Sequence, residues 1–403
     1  MKLKKQILLL TTKYPLAADS SWLSSDLAEK LSRDGWRVFI LFLDWNSVEN
    51  GYQNRVVRKN RVIVLRQRSI ISPLFRFAFI SKWFLTSVYA YFNFIKFIRL
   101  RKFHAIICFS PVVTVWFLLL ALKGRARKIL LIYWDFFPIH HIQIGLIKNP
   151  FLKKFLFLFE KYLVSKFGFI GCMSQRNMDF LANYFSIRSD VIHEVPLWGG
   201  APVKQIDLSN NTGPLFDTSK IIRCVFGGQL AAGRGVSFLA KLISKISNNR
   251  YPIHVTVIGS GPEESKIDVV ISSAPEYATR IPAMSRNAYL HNLYNFDVGL
   301  IVTVGGVSVP TYPSKIIDYT SVGLPVVAAV EEESDFPFYI KYYGSGSCTA
   351  VDDLDSFIGE ILRFSDPYYR SLCVAGSLRM FHERHSQNNS LRALTNFLKE
   401  NNS

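Results

Sequence analysis

The segment Pro313-Ser314-Lys315-Ile316-Ile317-Asp318-Tyr319 brings a hydroxyl, an ammonium and, one turn later, a carboxylate to the start of a short helix. Pro313 and Ser314 are helix-entry residues, and Ser314 is suited to cap the first amides. Gly323 and Pro325 stop the helix before the apolar run Val326-Val327-Ala328-Ala329-Val330, which reads as a buried strand. Free N–H groups, Ser314 and Lys315 at one point suit an anion, and Asp318 is placed to accept hydrogen bonds from ribose hydroxyls. An ordinary αβ unit with a surface lysine accounts for the segment equally well.

Other candidates follow strand-like runs. After 221–226 comes Gly227-Gly228-Gln229-Leu230-Ala231-Ala232-Gly233-Arg234-Gly235. Small residues at Gly228 let a ligand reach the backbone beside Gln229, and Arg234 at a helix start can hold a diphosphate oxygen. After 253–258 comes Gly259-Ser260-Gly261-Pro262-Glu263. Gly259 and Gly261 admit a phosphate or ribose, or serve a turn that needs positive φ. After 297–302 a long loop containing Gly305 and Gly306 feeds the Ser314 helix and offers a place for a sugar.

The first half contributes Asp135, set among aromatics in Tyr133-Trp134-Asp135-Phe136-Phe137-Pro138. Such a carboxylate can hold sugar hydroxyls, act as a base or cap a turn. His140 and His141 are adjacent and diverge, so they are a poor metal pair; one of them beside a ligand is the most they offer. Asp19, Ser20 and Ser21 precede a helix at 22–33, and any of them can cap it. The five cysteines (108, 172, 224, 348, 373) are scattered and lie mostly in apolar strands, as reduced thiols of a cytosolic protein do. No Cys/His cluster has metal-ligand spacing.

Positioning these groups requires βα units. Strand-like runs at 6–11, 36–43, 105–109, 128–133 and 169–172 alternate with helical patterns near 22–33, 74–99, 111–122, 150–166 and 175–184. The second half repeats the plan, with runs at 221–226, 253–258, 297–302 and 325–330 and helical patterns near 236–247, 286–294 and 314–321. This predicts an α/β fold of two doubly wound Rossmann-like parallel-sheet domains facing a central cleft. The turn-rich stretch from Pro196 to Ser219 separates them. The expected domains are 1–200, 201–386 and a C-terminal helix or tail at 387–403.

Charge divides the same way. The formal net charge is +18, yet residues 1–200 carry 30 Lys and Arg against 11 acids, and residues 201–403 carry 18 against 19. Between Asn50 and Trp134 there are 16 basic residues and no acid. This asymmetry predicts an anionic partner for the first half alone. Basic residues interleave with large apolar ones, as in Phe75-Arg76-Phe77-Ala78-Phe79-Ile80-Ser81-Lys82-Trp83-Phe84, which favours an anionic membrane surface over nucleic acid. A mean hydropathy of +0.17 points the same way. The run 105–122 is split by Ser110-Pro111, and 77–98 contains Lys82 and Lys96, so no spanning helix is expected. The start, Met1-Lys2-Leu3-Lys4-Lys5 and the apolar residues after it, reads as a first strand and not as a leader peptide.

Taken together, the turns resemble the retaining, family-4-type glycosyltransferases of the GT-B fold that build bacterial surface polysaccharides. Val257-Ile258-Gly259-Ser260-Gly261-Pro262-Glu263 is similar to that family's GxGPE turn, and Pro313 to Val327 to its PSK-helix-GxPV block. Trp134-Asp135-Phe136-Phe137-Pro138 resembles its D-x-W-P block more weakly, and the likeness spans nearly the whole chain. The resemblance implies a hexosyltransferase that uses a nucleotide diphosphosugar as substrate, with no further cofactor and no metal. It would act on a lipid-linked saccharide for lipopolysaccharide or capsule, at the cytoplasmic face of the cell membrane, peripherally attached. Arg234 and Lys315 would neutralise the diphosphate, Asp318 would hold the ribose, backbone near Arg280-Ile281-Pro282 would meet the base, and Asp135 would lie by the transferred sugar or acceptor. The chain departs from the pattern at Gln229, where many members have Arg, and at Pro310, where the first Glu of an E-x7-E motif is expected.

Two other readings compete. A non-catalytic nucleotide-sugar or membrane-binding module would bind nucleotide without transfer or donor hydrolysis. A nucleic-acid-binding protein would show steeply salt-dependent binding to RNA or DNA and none to anionic vesicles.

Overall fold

The computed structural model describes residues 5–16, 21–45, 55–59, 62–69, 81–98, 101–200 and 221–400. The chain forms two compact units, Met1–Pro196 with Leu391–Ser403, and Leu197–Ser390.

The first unit is built on an eight-stranded sheet of order β3-β4-β2-β1-β5-β6-β7-β8. The strands are β1 Gln6–Thr11, β2 Arg37–Asp44, β3 Arg55–Lys59, β4 Val62–Arg68, β5 Phe103–Phe109, β6 Ala126–Tyr133, β7 Phe169–Cys172 and β8 Ile192–Glu194. Of these strands only β3 runs antiparallel to its neighbour. Strand β1 is central, with Ile7 opposite Val38 on one side and Ala105 on the other. Helices cover both faces of such a sheet, so a central strand reads as a continuous apolar run. Ile7, Leu8, Leu9 and Leu10 are accordingly all fully buried.

The second unit is a six-stranded, all-parallel sheet of order β11-β10-β9-β12-β13-β14. Its strands are β9 Ile222–Gly227, β10 Ile253–Ile258, β11 Ala278–Ile281, β12 Val298–Val302, β13 Val326–Val330 and β14 Gly346–Ala350. Counted from β9, this is the order 3-2-1-4-5-6, whose direction reverses between β9 and β12. In open parallel sheets that reversal opens a crevice at the carboxyl ends of the strands, where ligands bind. The helix Val236–Asn249 covers one face by burying Phe238, Leu239, Leu242, Ile243 and Ile246 at helical spacing.

The tail does not form a separate element. Gln387–Ser390 ends the second unit, and the chain then returns to the first, where the helix Arg392–Lys399 buries Leu394 and Leu398. His104 Nε2 donates to Leu398 O at 2.7 Å, Lys128 Nζ donates to Glu400 O at 2.8 Å, and Phe397 lies 5.0 Å from Phe169. Among the described residues no helix is long and apolar enough to cross a membrane.

Candidate functional site

The candidate residues of the second unit gather where the sheet reverses. β9 runs into Gly227 and Gly228, and the side chain of Lys315 lies along this turn. A Cβ on Gly228 would come within 3.0 Å of Lys315 Cε, and Gly228 has φ +144°, so glycine is needed there twice over. The Lys315 ammonium stands 4.4 Å from the centre of the Phe226 ring. Burial first, and then the positive charge of Arg234, lower the pKa of Lys315 to about 8. Arg234 itself is exposed. Among the described residues neither cation has a carboxylate partner.

Behind Lys315, the helix Lys315–Ser321 carries Asp318 and Tyr319. The Asp318 carboxylate accepts from Arg286 at 2.6 Å. Burial raises its pKa, and Arg286 opposes the rise. The Tyr319 hydroxyl, fully buried, accepts from Gly227 N at 3.0 Å and also bonds Tyr289. A Cβ on Gly227 would sit 1.9 Å from the Tyr289 hydroxyl. Arg286 and Tyr289, both on the helix Arg286–Leu293, therefore brace Asp318 and the first turn from below. Ser314 is exposed at the helix start, but its side chain makes no capping bond, contrary to the sequence expectation. Its φ of −67° and ψ of −17° are already helical, whereas a capping side chain needs an extended backbone.

The two glycine-rich turns are laced together. Gly228 N donates to Ile258 O, Leu230 N to Ser260 O and Glu263 N to Leu230 O, at 3.0–3.1 Å. A Cβ on Gly259 would lie 1.9 Å from Gly228 O, and one on Gly261 2.2 Å from Leu230 O. Close approach of the neighbouring turn is thus the first demand on both glycines, and neither has positive φ. Gln229 is exposed beside them. Arg280 turns its side chain to the helix Glu264–Ser273, pairing with Asp268 at 2.5 and 2.9 Å, while the Ile281 carbonyl accepts from Gly259 N. The loop with exposed Gly305 and Gly306 is held at its ends by Glu331, a buried acid that follows β13. Glu331 accepts from Thr303 Oγ1 and from Thr311 N, each at 2.7 Å.

In the first unit Asp135 is exposed at the end of β6. Its N–H and that of Trp134 both donate to Ser110 Oγ at 2.8 Å. His140 and His141 lie on the short helix Ile139–Gln143 with ring centres 6.1 Å apart. His141 is packed between Phe137 and Trp83; burial lowers its pKa, His140 lowers it further, and Asp135 pulls it back up. Ser20 falls outside the described residues. Ser21 is half-buried but does not cap the following helix: the N-cap is Trp22, whose N–H donates to Ser25 Oγ at 2.9 Å. Among the described residues no three His, Cys, Asp or Glu side chains gather in a way that could hold a metal ion.

Arg286, Tyr289, Tyr319, Glu331 and Ser110 escaped the sequence reading. Tyr319 adjoins Asp318 in sequence, and that adjacency was the one available signal; the others lie on elements distant in sequence from the groups they hold.

No protein-family model and no curated protein matches the sequence. Solved structures do match the fold. Sucrose-phosphate synthase from Thermosynechococcus elongatus superposes with a TM-score of 0.74 at 14% identity, over 98% of both chains. The chain has the GT-B fold. Anabaena Alr3699/HepE in complex with UDP and glucose matches with a TM-score of 0.68 at 11% identity, over 98% of this chain and 99% of that one. The lipopolysaccharide outer core galactosyltransferase WaaB matches at 0.62 and 13% identity, over 97% and 98%.

Proposed function

We propose that the chain is a glycosyltransferase that moves a sugar from a nucleotide diphosphosugar to a hydroxyl of a saccharide acceptor. One observation carries the reading: Arg234 and Lys315 lie together after β9 and β12, at the carboxyl end of a doubly wound sheet, with no carboxylate partner among the described residues. Like charges held together without a counter-charge cost free energy, and an arriving anion offsets that cost. The likeness to a protein solved with UDP and glucose supports a nucleotide sugar as that anion.

The chemistry follows from the charges. The bond from the anomeric carbon to the diphosphate oxygen breaks, the sugar becomes oxocarbenium-like, and negative charge gathers on the departing diphosphate. Arg234 and Lys315 stabilise that charge, a contribution of about 3–4 kcal/mol each by comparison with other preorganised donors. The acceptor hydroxyl attacks from the same face, and its proton passes to a diphosphate oxygen, so configuration is retained without a protein nucleophile. Asp318 holds the ribose while Arg286 orients it, and Asp135 meets the sugar or acceptor.

The acceptor we propose is lipid-linked and belongs to surface polysaccharide synthesis, with the protein peripheral on the inner face of the cell membrane. Supporting this are the net positive, aromatic-rich first unit and the likeness to WaaB and to WaaG, a glycosyltransferase of lipopolysaccharide biosynthesis. The test is a melting-temperature screen against UDP, GDP, ADP and their sugars. One nucleotide family should raise the melting temperature, and Lys315→Ala should abolish the rise. A variant that keeps wild-type turnover and nucleotide binding removes the reading.

A further inference from the structure

The helix Pro150–Val164 presents an apolar stripe to solvent. Phe151, Phe155, Leu158 and Tyr162 recur at helical spacing and are 85, 51, 53 and 48% exposed. A surface helix ordinarily turns such a stripe inward. Here the inward face is already occupied by Leu156, Leu163 and Val164, so the helix is apolar on two sides. The segment Ser81–Leu85 and the helix Thr86–Ile98 that continues it repeat the pattern: Leu85, Tyr89 and Phe92 are exposed at the same spacing. Phe84 joins the two, 6.2 Å from Phe155 and 6.4 Å from Phe159.

Apart from one buried acid, the charges of this helix and its flanks have one sign. Lys148, Lys153, Lys154, Lys161 and Lys166 lie on or beside the helix, and none has a carboxylate partner among the described residues. The helix has a single acid, Glu160, which is fully buried and accepts from Val112 N at 2.7 Å and Val113 N at 2.8 Å.

We infer that this two-helix face docks on an anionic lipid surface, with Phe151, Phe155, Leu158 and Tyr162 entering the headgroup–acyl boundary and the lysines at the phosphates. The choice of a membrane rests on the proposed function; the face and the mode of contact are new to it. A second copy of this chain fits poorly, because a symmetric contact here would bury lysine against lysine. A nucleic-acid duplex would satisfy the lysines through its phosphates but leave Phe151, Phe155 and Leu158 in water.

The test sediments the full chain with phosphatidylcholine vesicles and with vesicles in which phosphatidylglycerol replaces part of the phosphatidylcholine. Binding is expected to the second kind and to weaken with salt. The double variant Phe151→Ser, Leu158→Ser should lower partitioning by about tenfold or more. Lys148→Gln with Lys154→Gln, both exposed, should lower it about fivefold or more, on the anionic vesicles only. All variants should keep the wild-type melting temperature and its shift by UDP, because the altered side chains are exposed and belong to the other unit. The inference is overturned if the wild type ignores anionic vesicles, if the serine variant sediments like wild type, or if that variant converts a dimer to a monomer in ultracentrifugation with vesicle binding unchanged. Vesicle binding without any nucleotide shift would instead count against the proposed site and leave the docking face standing.

Discussion

Lys315 is held away from its ordinary ionisation range first by burial and then by the positive charge of Arg234, and a bound anion would offset both. Its pKa in the fold is lowered from 10.5 to about 8. Between those values the unfolded chain binds the proton more tightly than the folded one, so this group favours folding more as pH rises through the window. A bound diphosphate reverses the bias, because it favours the ammonium. Nucleotide binding at about pH 9 should therefore take up protons, and affinity should fall as pH rises above about 8. Calorimetry in buffers of differing ionisation enthalpy measures the uptake directly. Lys315→Met should lose the nucleotide shift while melting at the same or a higher temperature without ligand, as expected where function is installed against stability. Gly259→Ala makes the opposite point. Its Cβ would meet the Gly228 carbonyl, so it should destabilise the unit by about 2–3 kcal/mol in urea unfolding even without nucleotide. The two cations and both glycines were legible in the sequence because type and position after a strand suffice to suggest them. Arg286 and Tyr289 were not, since their partners are set only once two helices pack.

At the scale of elements, the strands that were legible are those buried on both faces. β1, β12 and β13 are almost wholly apolar, β9 and β10 are broken only by Arg223 and by His254 and Thr256, and all five match the expected positions to within about a residue. β4 ends in Arg66-Gln67-Arg68, β14 is Gly-Ser-Cys-Thr-Ala at a sheet edge, and β11 has four residues including Arg280, so composition gives no period to read. These strands exist because a neighbouring strand offers its edge. Glu160 shows the same dependence on tertiary context. It sits inside a helix that reads as Phe, Leu and Lys, yet its carboxylate holds the turn Val112–Val113 that follows Ser110, and Ser110 in turn holds the Asp135 turn. Burial raises its pKa to about 8 from 4.5, against the opposing effect of those two N–H bonds. The folded state thus binds this proton more tightly, so its contribution to stability is complete below about pH 4.5 and is lost as pH rises towards 8. Glu160→Gln removes that dependence and leaves one amide without a good acceptor, at about 2 kcal/mol. Denaturant unfolding of both proteins at several pH values should show the variant's deficit shrinking as pH rises across this range. A constant deficit would mean that the carboxyl does not titrate there.

For the whole molecule, the instructive feature is the return of the chain to its first unit. The sequence showed two βα series and a change of charge between them, but it gave the last helix no address, because an amphipathic segment packs on whichever sheet offers a matching face. In the structure that face lies beside β5, β6 and β7, through His104, Lys128 and Phe169. The first unit is therefore incomplete until residue 391 onward is made, whereas the nucleotide-site candidates all lie within Leu197–Ser390. Ending the chain after Ser390 removes buried Leu394 and Leu398 together with the acceptors of His104 and Lys128. That loss should lower the first unit's stability by about 4 kcal/mol or more, a shift of roughly 8 °C or more for a unit of this size. Calorimetry of the truncated chain should show one transition displaced downward and a second near its original temperature, the second alone rising when nucleotide is added. If both transitions fall together, the two units unfold as one, and the second depends on more than its own sheet.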